Sequence, residues 1–101
     1  MLDREFFLGF IKIHILYHAS REAIYGVKIL EELGRHGYRL SPGTLYPALH
    51  RLAREGYLES SSKVVGGKVR RYYTITGRGL VALDEARRKI AELVKEVLLD
   101  K

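Results

Sequence analysis

His50, Arg51 and Arg54 fall within five residues of one another, in a stretch bounded by Ser41-Pro42-Gly43-Thr44 before it and Gly56 after it. Imidazole and guanidinium groups crowded on a short segment can neutralise phosphates and donate hydrogen bonds to base edges, which is chemistry of recognition. The chemistry of bond breaking has no comparable footing. There is no cysteine, hence no thiolate nucleophile, disulfide or thiolate metal site. No glycine loop is followed by Lys and Ser or Thr to cradle phosphate, and there is neither a nucleophile elbow nor a clustered acid–base pair. Ser60, Ser61 and Ser62 are crowded at the end of an expected strand, where serines more often serve turns. Neither catalytic residues nor cofactors are expected, and the chain reads as something other than an enzyme.

Two further histidines, His14 and His18, stand at i and i+4 and so share a helix face. That spacing can bind a metal, but neither a cysteine nor a nearby acidic residue accompanies them as a third ligand, so the pair reads as packing or interface and no metal site is expected. His50 is the more consequential histidine, because an imidazole titrating near neutrality on a phosphate-facing surface makes affinity depend on pH.

Charge placement points the same way. The net charge is +6, and the segment Leu33 to Leu83 alone holds nine Lys or Arg against Glu55 and Glu59, while the remainder is close to neutral. Concentrating cations in half the chain suits a partner made of phosphates better than it suits water. No basic leader with a cleavage site is evident, and the first apolar stretch is interrupted by Lys12 and His14. The expectation is therefore a cytoplasmic chain with no signal peptide and no membrane span.

The elements that must position these residues can be read in order. From Arg4 to His18 the sequence is almost continuously apolar and free of proline, giving a first helix that needs cover on more than one side, before a polar break at Ser20-Arg21-Glu22. Tyr25 to His36 places Val27, Ile29, Leu30 and Leu33 at helical spacing, with Gly34 and Gly37 as stop signals. Ser41 suits an N-cap and Pro42 the first position of a third helix that Gly56 closes. Pro47 sits awkwardly inside it unless the regular helix starts later, near Thr44. Tyr57 to Ser60 and Arg71 to Ile75 read as strands flanking a Gly66-Gly67 turn, a hairpin with a basic tip. Thr76 can cap a last helix from about Gly77 to Leu99.

At 100° per residue, Leu45, Ala48, Leu49 and Leu52 share one face of the third helix. Gly43, Pro47, His50 and Arg54 lie opposite, flanked by Thr44, Tyr46 and Arg51. In the last helix Leu83, Ala86, Ile90, Leu93 and Val97 follow a 3-4-3-4 spacing, a coiled-coil-like seam. With Phe6 and Phe10 of the first helix they form the expected dimer interface, although the stripe could instead close the monomer's own core. The expected fold is mainly α with a small β-hairpin: a winged helix-turn-helix over residues 1–76 and a C-terminal dimerisation helix over 77–101, one compact unit with the N-terminal helix. Such a fold puts the third helix in the major groove of double-stranded DNA. The expected DNA-binding residues are Ser41, Thr44, Tyr46, Pro47, His50, Arg51 and Arg54, with Lys63, Lys68, Arg70 and Arg71 on or beside the wing. Of Tyr72 and Tyr73, strand alternation turns one to the core and leaves open which; Tyr25 could contact phosphate or pack on the third helix.

The runs Tyr25-Gly26, Ser41-Pro42-Gly43-Thr44-Leu45-Tyr46-Pro47-Ala48-Leu49-His50-Arg51-Leu52, Glu55-Gly56-Tyr57-Leu58 and Gly67-Lys68-Val69-Arg70-Arg71-Tyr72-Tyr73-Thr74-Ile75-Thr76, with Gly79, resemble those of PadR regulators in type and order. The single C-terminal helix resembles the short branch of that family. The resemblance implies a homodimeric repressor on a pseudo-palindromic operator, commonly relieved by a small-molecule effector whose identity the residues do not give. Some short relatives sandwich flat aromatic compounds between tryptophans at the dimer centre, but this sequence has no tryptophan. A different reading, a winged helix that binds protein instead of DNA, would call for an apolar or acidic third helix, which this sequence lacks.

Overall fold

The structure is a computed structural model and describes residues 4–100, with only the backbone of Arg4; the outermost residues of the two expected segments, 1–3 and 101, lie outside it. Helix α1 spans Arg4–Arg21, α2 Gly26–Arg35 and α3 Pro42–Arg54; strands β1 (Leu58–Val65) and β2 (Lys68–Ile75) follow, then α4 (Gly77–Leu93), which runs on into a π-helical turn, Val94–Leu98. This is the expected order of three helices, hairpin and final helix.

One apolar core organises it. Ile11, Ile15, Leu16 and Ala19 of α1, Ile29 and Leu33 of α2, and Leu45, Leu49 and Leu52 of α3 meet Ile24, Leu58, Tyr73 and Leu83, all buried. The four inward residues of α3 are therefore the four that the helical period selects. Helix α1 runs three residues past His18, through Ser20, whose hydroxyl donates to the Tyr17 carbonyl at 2.6 Å and so is satisfied within the helix instead of ending it.

Helices α2 and α3 end in the same way. Gly37 and Gly56 take φ of +89° and +87°. Tyr38 N donates to Leu33 O and Gly37 N to Gly34 O, while Tyr57 N donates to Leu52 O and Gly56 N to Ala53 O. Both are Schellman motifs, which need a residue tolerant of the left-handed region just past the cap. Gly37 is thus the stop signal, whereas Gly34 lies inside α2. Helix α3 already begins at Pro42, so Pro47 is interior and the later start is not adopted. Its missing N–H deprives the carbonyl of Gly43, on the exposed side, of a helical partner.

The hairpin is longer than its apolar residues indicate. Pairing runs from Leu58↔Ile75 to Val65↔Lys68, and Gly66 and Gly67, with φ of +58° and +77°, form the two-residue turn. Ser60, Ser61 and Ser62 stand mid-strand opposite Tyr73, Tyr72 and Arg71, correcting their assignment to a turn. The main-chain ladder carries these exposed residues without needing an alternating side-chain pattern. Ile24 joins as a one-residue third strand, exchanging both backbone hydrogen bonds with Tyr73.

A corner ties the wing to α4. The Thr76 hydroxyl accepts from Gly79 N at 3.0 Å, the expected cap, and donates to Gly56 O at 2.6 Å. A Cβ on Gly79 would lie 2.2 Å from the Tyr57 carbonyl oxygen, so only glycine lets α4 start this close to the end of α3.

Candidate nucleic-acid interface

Helix α3 is held by its apolar face between α2 and β1, and its opposite face is open. Pro47, His50, Arg51 and Arg54 are exposed, and Thr44 is half-buried. Arg51 has only a long, exposed contact to Glu55 (4.0 Å); among the described residues His50 and Arg54 have no ion-pair partner. Ser41 occupies the N-cap by position, its carbonyl accepting from Thr44 N and Leu45 N, while its hydroxyl makes no capping bond and lies 3.4 Å from that of Thr44. Two hydroxyls therefore stand at the exposed start of the helix.

A groove of ≈ 560 Å³ runs beside this face, lined by Gly43, Thr44, Pro47, His50, Arg51 and Arg54 and by Lys12 from α1. Lys12 thus joins the cations of α3. Its sequence position within an apolar helix marked it only as an interruption, since nothing local to α1 shows which element lies across from it.

Tyr46 is 37% exposed, but its ring also leans on α2. A Cβ on Gly26 would fall 2.3 Å from the Tyr46 hydroxyl oxygen, so the missing side chain there is what admits the tyrosine ring against the start of α2. The Tyr25-Gly26 pair gains a meaning from this: Gly26 seats Tyr46, and Tyr25 meets the wing.

On the wing, the pleat puts Lys63, Lys68, Arg70 and Tyr72 on one face and Arg71 with Tyr73 on the other. Lys63 and Arg70 are direct cross-strand partners, a like-charge pairing that ordinarily destabilises a hairpin. Aromatic rings offset it: the Arg70 guanidinium lies 4.2 Å from the Tyr25 ring centroid, Lys63 5.4 Å from that of Tyr72, and the two rings meet edge to face at 5.4 Å. Arg70 is accordingly a half-buried, held cation, unlike the exposed Lys63, Lys68 and Arg71. Tyr73 is the core tyrosine and Tyr72 the outer one, which settles the alternation.

The profile of the family described as "Transcriptional regulator PadR-like family" matches residues 15–85. The chain belongs to that family. The Mycobacterium tuberculosis H37Rv protein named Transcriptional regulator Rv3488 is 50% identical over 95 residues, covering 94% of this chain and 89% of that protein. The crystal structure of a PadR family transcriptional regulator from Eggerthella lenta DSM 2243 superposes with a TM-score of 0.81 at 33% identity, covering 92% of this chain and 82% of that one. A PadR-like transcriptional regulator from Bacillus cereus ATCC 14579 gives 0.78 at 32% identity over 93% and 96% of the two chains. The fold of this PadR-like regulator is the winged helix expected of it, and the names of its family and relative are those of regulators of transcription.

The expected interface residues are distributed unevenly in the PadR-like chain. Leu83 is buried in the core and Ala86 half-buried, whereas Ile90, Leu93 and Val97 are 41%, 52% and 67% exposed. Phe6 and Phe10 are exposed on α1, and Tyr17 continues their stripe. The seam thus closes the monomer's own core only at its first position. No helix among the described residues is long and apolar enough to cross a membrane.

Between α1 and α4 the structure also brings His36, the C-cap of α2, beside His14 and His18. The rings of His14 and His36 stack with centroids 4.6 Å apart. Burial, and then the neighbouring His36 and His18, hold the His14 pKa below the ordinary imidazole value.

Proposed function

We propose that this PadR-like regulator binds double-stranded DNA sequence-specifically as a homodimer and represses transcription from a pseudo-palindromic operator. The observation that carries the proposal is the division of α3, with four buried residues on one side and His50, Arg51 and Arg54 exposed on the other, flanked by cations of the wing. In a winged helix, side chains at these positions of the third helix can reach base edges in the major groove. Ser41, Thr44 and Lys12 stand at its edges, where hydroxyls and an ammonium suit phosphate. Lys63, Lys68 and Arg71 would follow the adjoining backbone, while Arg70, held on Tyr25, fixes the wing's angle.

The homodimer is supported by the apolar stripe shared by α1 and α4, where Phe10, Tyr17, Ile90, Leu93 and Val97 are all at least 41% exposed. Two-fold pairing through that stripe would present two copies of α3, and a two-fold protein reads a two-fold operator. Repression is the sense that the family resemblance supports.

The test is a titration against a pool of short duplexes at two salt concentrations, with mass by light scattering on the same sample. A dimer that selects particular duplexes and loses affinity steeply with salt is the expected result. Failure to bind any duplex at either salt concentration would overturn the reading in favour of a winged helix that docks on protein.

A further inference from the structure

We propose that His14, His18 and His36 form a binding site for a divalent transition-metal ion of the zinc class. Sequence spacing supplies two of the three ligands and, lacking a third, argues against a site; the fold supplies the third. His14 and His18 are one turn apart on α1, and the Schellman turn at Gly37 fixes the end of α2 so that His36 lies over them. One ligand nitrogen from each of the three lies within 4.8 Å of the others. Tetrahedral binding at zinc–nitrogen distances of about 2.0–2.1 Å sets the nitrogens roughly 3.3 Å apart. Small side-chain rotations therefore suffice to close the set around an ion.

Three features favour coordination over packing of three aromatic rings. His18 Nε2 is buried with no hydrogen-bond partner, and an orphaned buried nitrogen is costly unless something satisfies it. No histidine of the three has a carboxylate partner among the described ion pairs, and Glu22, four residues on from His18, is paired with Lys28. Their ring nitrogens are thus not engaged by a salt bridge and can turn to a metal ion. Lastly, a cavity of ≈ 470 Å³ adjoins all three rings and leaves room for an ion and its water; Phe10, Tyr17 and Ile90 line it too, so in the proposed dimer the ion would sit beside the seam.

The donor set fixes the class of ion. Imidazole suits zinc, copper, nickel and iron, whereas magnesium and calcium demand oxygen ligands that the cluster does not offer. Three protein ligands leave at least one coordination position for water or an exchangeable group, unlike a closed structural site. A bound ion would cross-link α1 to the end of α2, just before the turn that leads into α3.

The experiment uses the full chain, freed of any purification histidine tag and stripped with chelator. It is titrated calorimetrically with zinc and, separately, with magnesium. One zinc per chain is expected, with no magnesium binding, and His36→Gln should weaken zinc by about a hundredfold or more, at least what loss of an outer-shell partner costs. Thermal unfolding provides a second readout: zinc in excess should raise the Tm of the wild type, as any ligand of the folded state does, and leave His36→Gln unmoved. Unfolding in chelator first establishes that the variant is folded, and His14→Gln takes its place if it is not. Equal zinc affinity in wild type and variant, or magnesium binding as tight as zinc, would overturn the site.

Discussion

Helices α3 and α4 carry hydrophobic patterns of similar clarity, and the chain treats them differently. On α3 each inward position, Leu45, Ala48, Leu49 and Leu52, is buried by the chain's own α2 and hairpin, leaving the polar face to water. On α4 burial fades along the stripe from Leu83 to Val97, as the helix leaves the core behind. A hydrophobic period states which face seeks burial; it does not state who provides the cover. Where a pattern as regular as that of α4 goes uncovered, with Phe10 and Tyr17 of α1 alongside, a second copy is the economical partner, since each such side chain gains roughly 1.5–3 kcal/mol when fully buried.

The largest effect should come from breaking that seam. Ile90→Asp places a carboxylate where the proposed dimer is apolar, and dimer dissociation should strengthen by at least about a hundredfold, given the several kcal/mol that burying an unpaired charge costs. Because Ile90 is 41% exposed in the single chain, the monomer should remain folded. Light scattering and thermal unfolding together check this, and an Ile90→Asp protein that stays dimeric would move the interface elsewhere.

Next in size is the corner that joins the two regions. Gly79→Ala drives a Cβ into the Tyr57 carbonyl, whereas Gly77→Ala, two residues away, meets nothing within 4 Å. The first should lose roughly 1–3 kcal/mol, the usual cost of overpacking. At about 4–8 °C per kcal/mol for a domain near this size, that is a clear drop in Tm. The second should leave it nearly unchanged. Equal melting temperatures would mean that α4 can shift away from the wing at little cost, and that the corner does not hold the two regions in register.

What the sequence made legible divides along the same line. Local features were readable: the two-sided period of α3, the Thr76 cap and the Gly66-Gly67 turn all depend on residues within a few positions of each other. Features that depend on exposed backbone were shortened, as with Ser61 to Val65, which carry no burial pattern yet pair fully. Contacts made by tertiary folding were invisible. Lys12 reaches the α3 face, and His36 reaches His14, across stretches whose relative placement no spacing encodes. Ser20 misled because a polar residue looks like a break until its hydroxyl is seen bonding inside the helix.

On the polar side the comparison sharpens within the cations themselves. Arg51 lies mid-helix on the face proposed to meet base edges, so Arg51→Ala should cost about 1–3 kcal/mol of operator affinity and relax selectivity at one position in each half-site. Competition between operator and scrambled duplexes measures both. A loss of affinity with selectivity intact would reassign Arg51 to phosphate.

The smallest effect belongs to Lys68, at the wing tip beside Gly67, exposed and without an ion-pair partner among the described residues. A flexible ammonium there can follow phosphate but has nothing to hold it against a base edge, unlike Arg70 seated 4.2 Å from the Tyr25 ring centroid. Lys68→Ala should therefore weaken operator and non-specific duplexes alike, and lower the slope of log affinity against log salt by about one per chain, the signature of one lost phosphate contact. Salt titrations on both duplexes read that slope. If selectivity fell instead while the slope held, the wing would be reading sequence, and the division between a specifying helix and a positioning wing would fail at its tip.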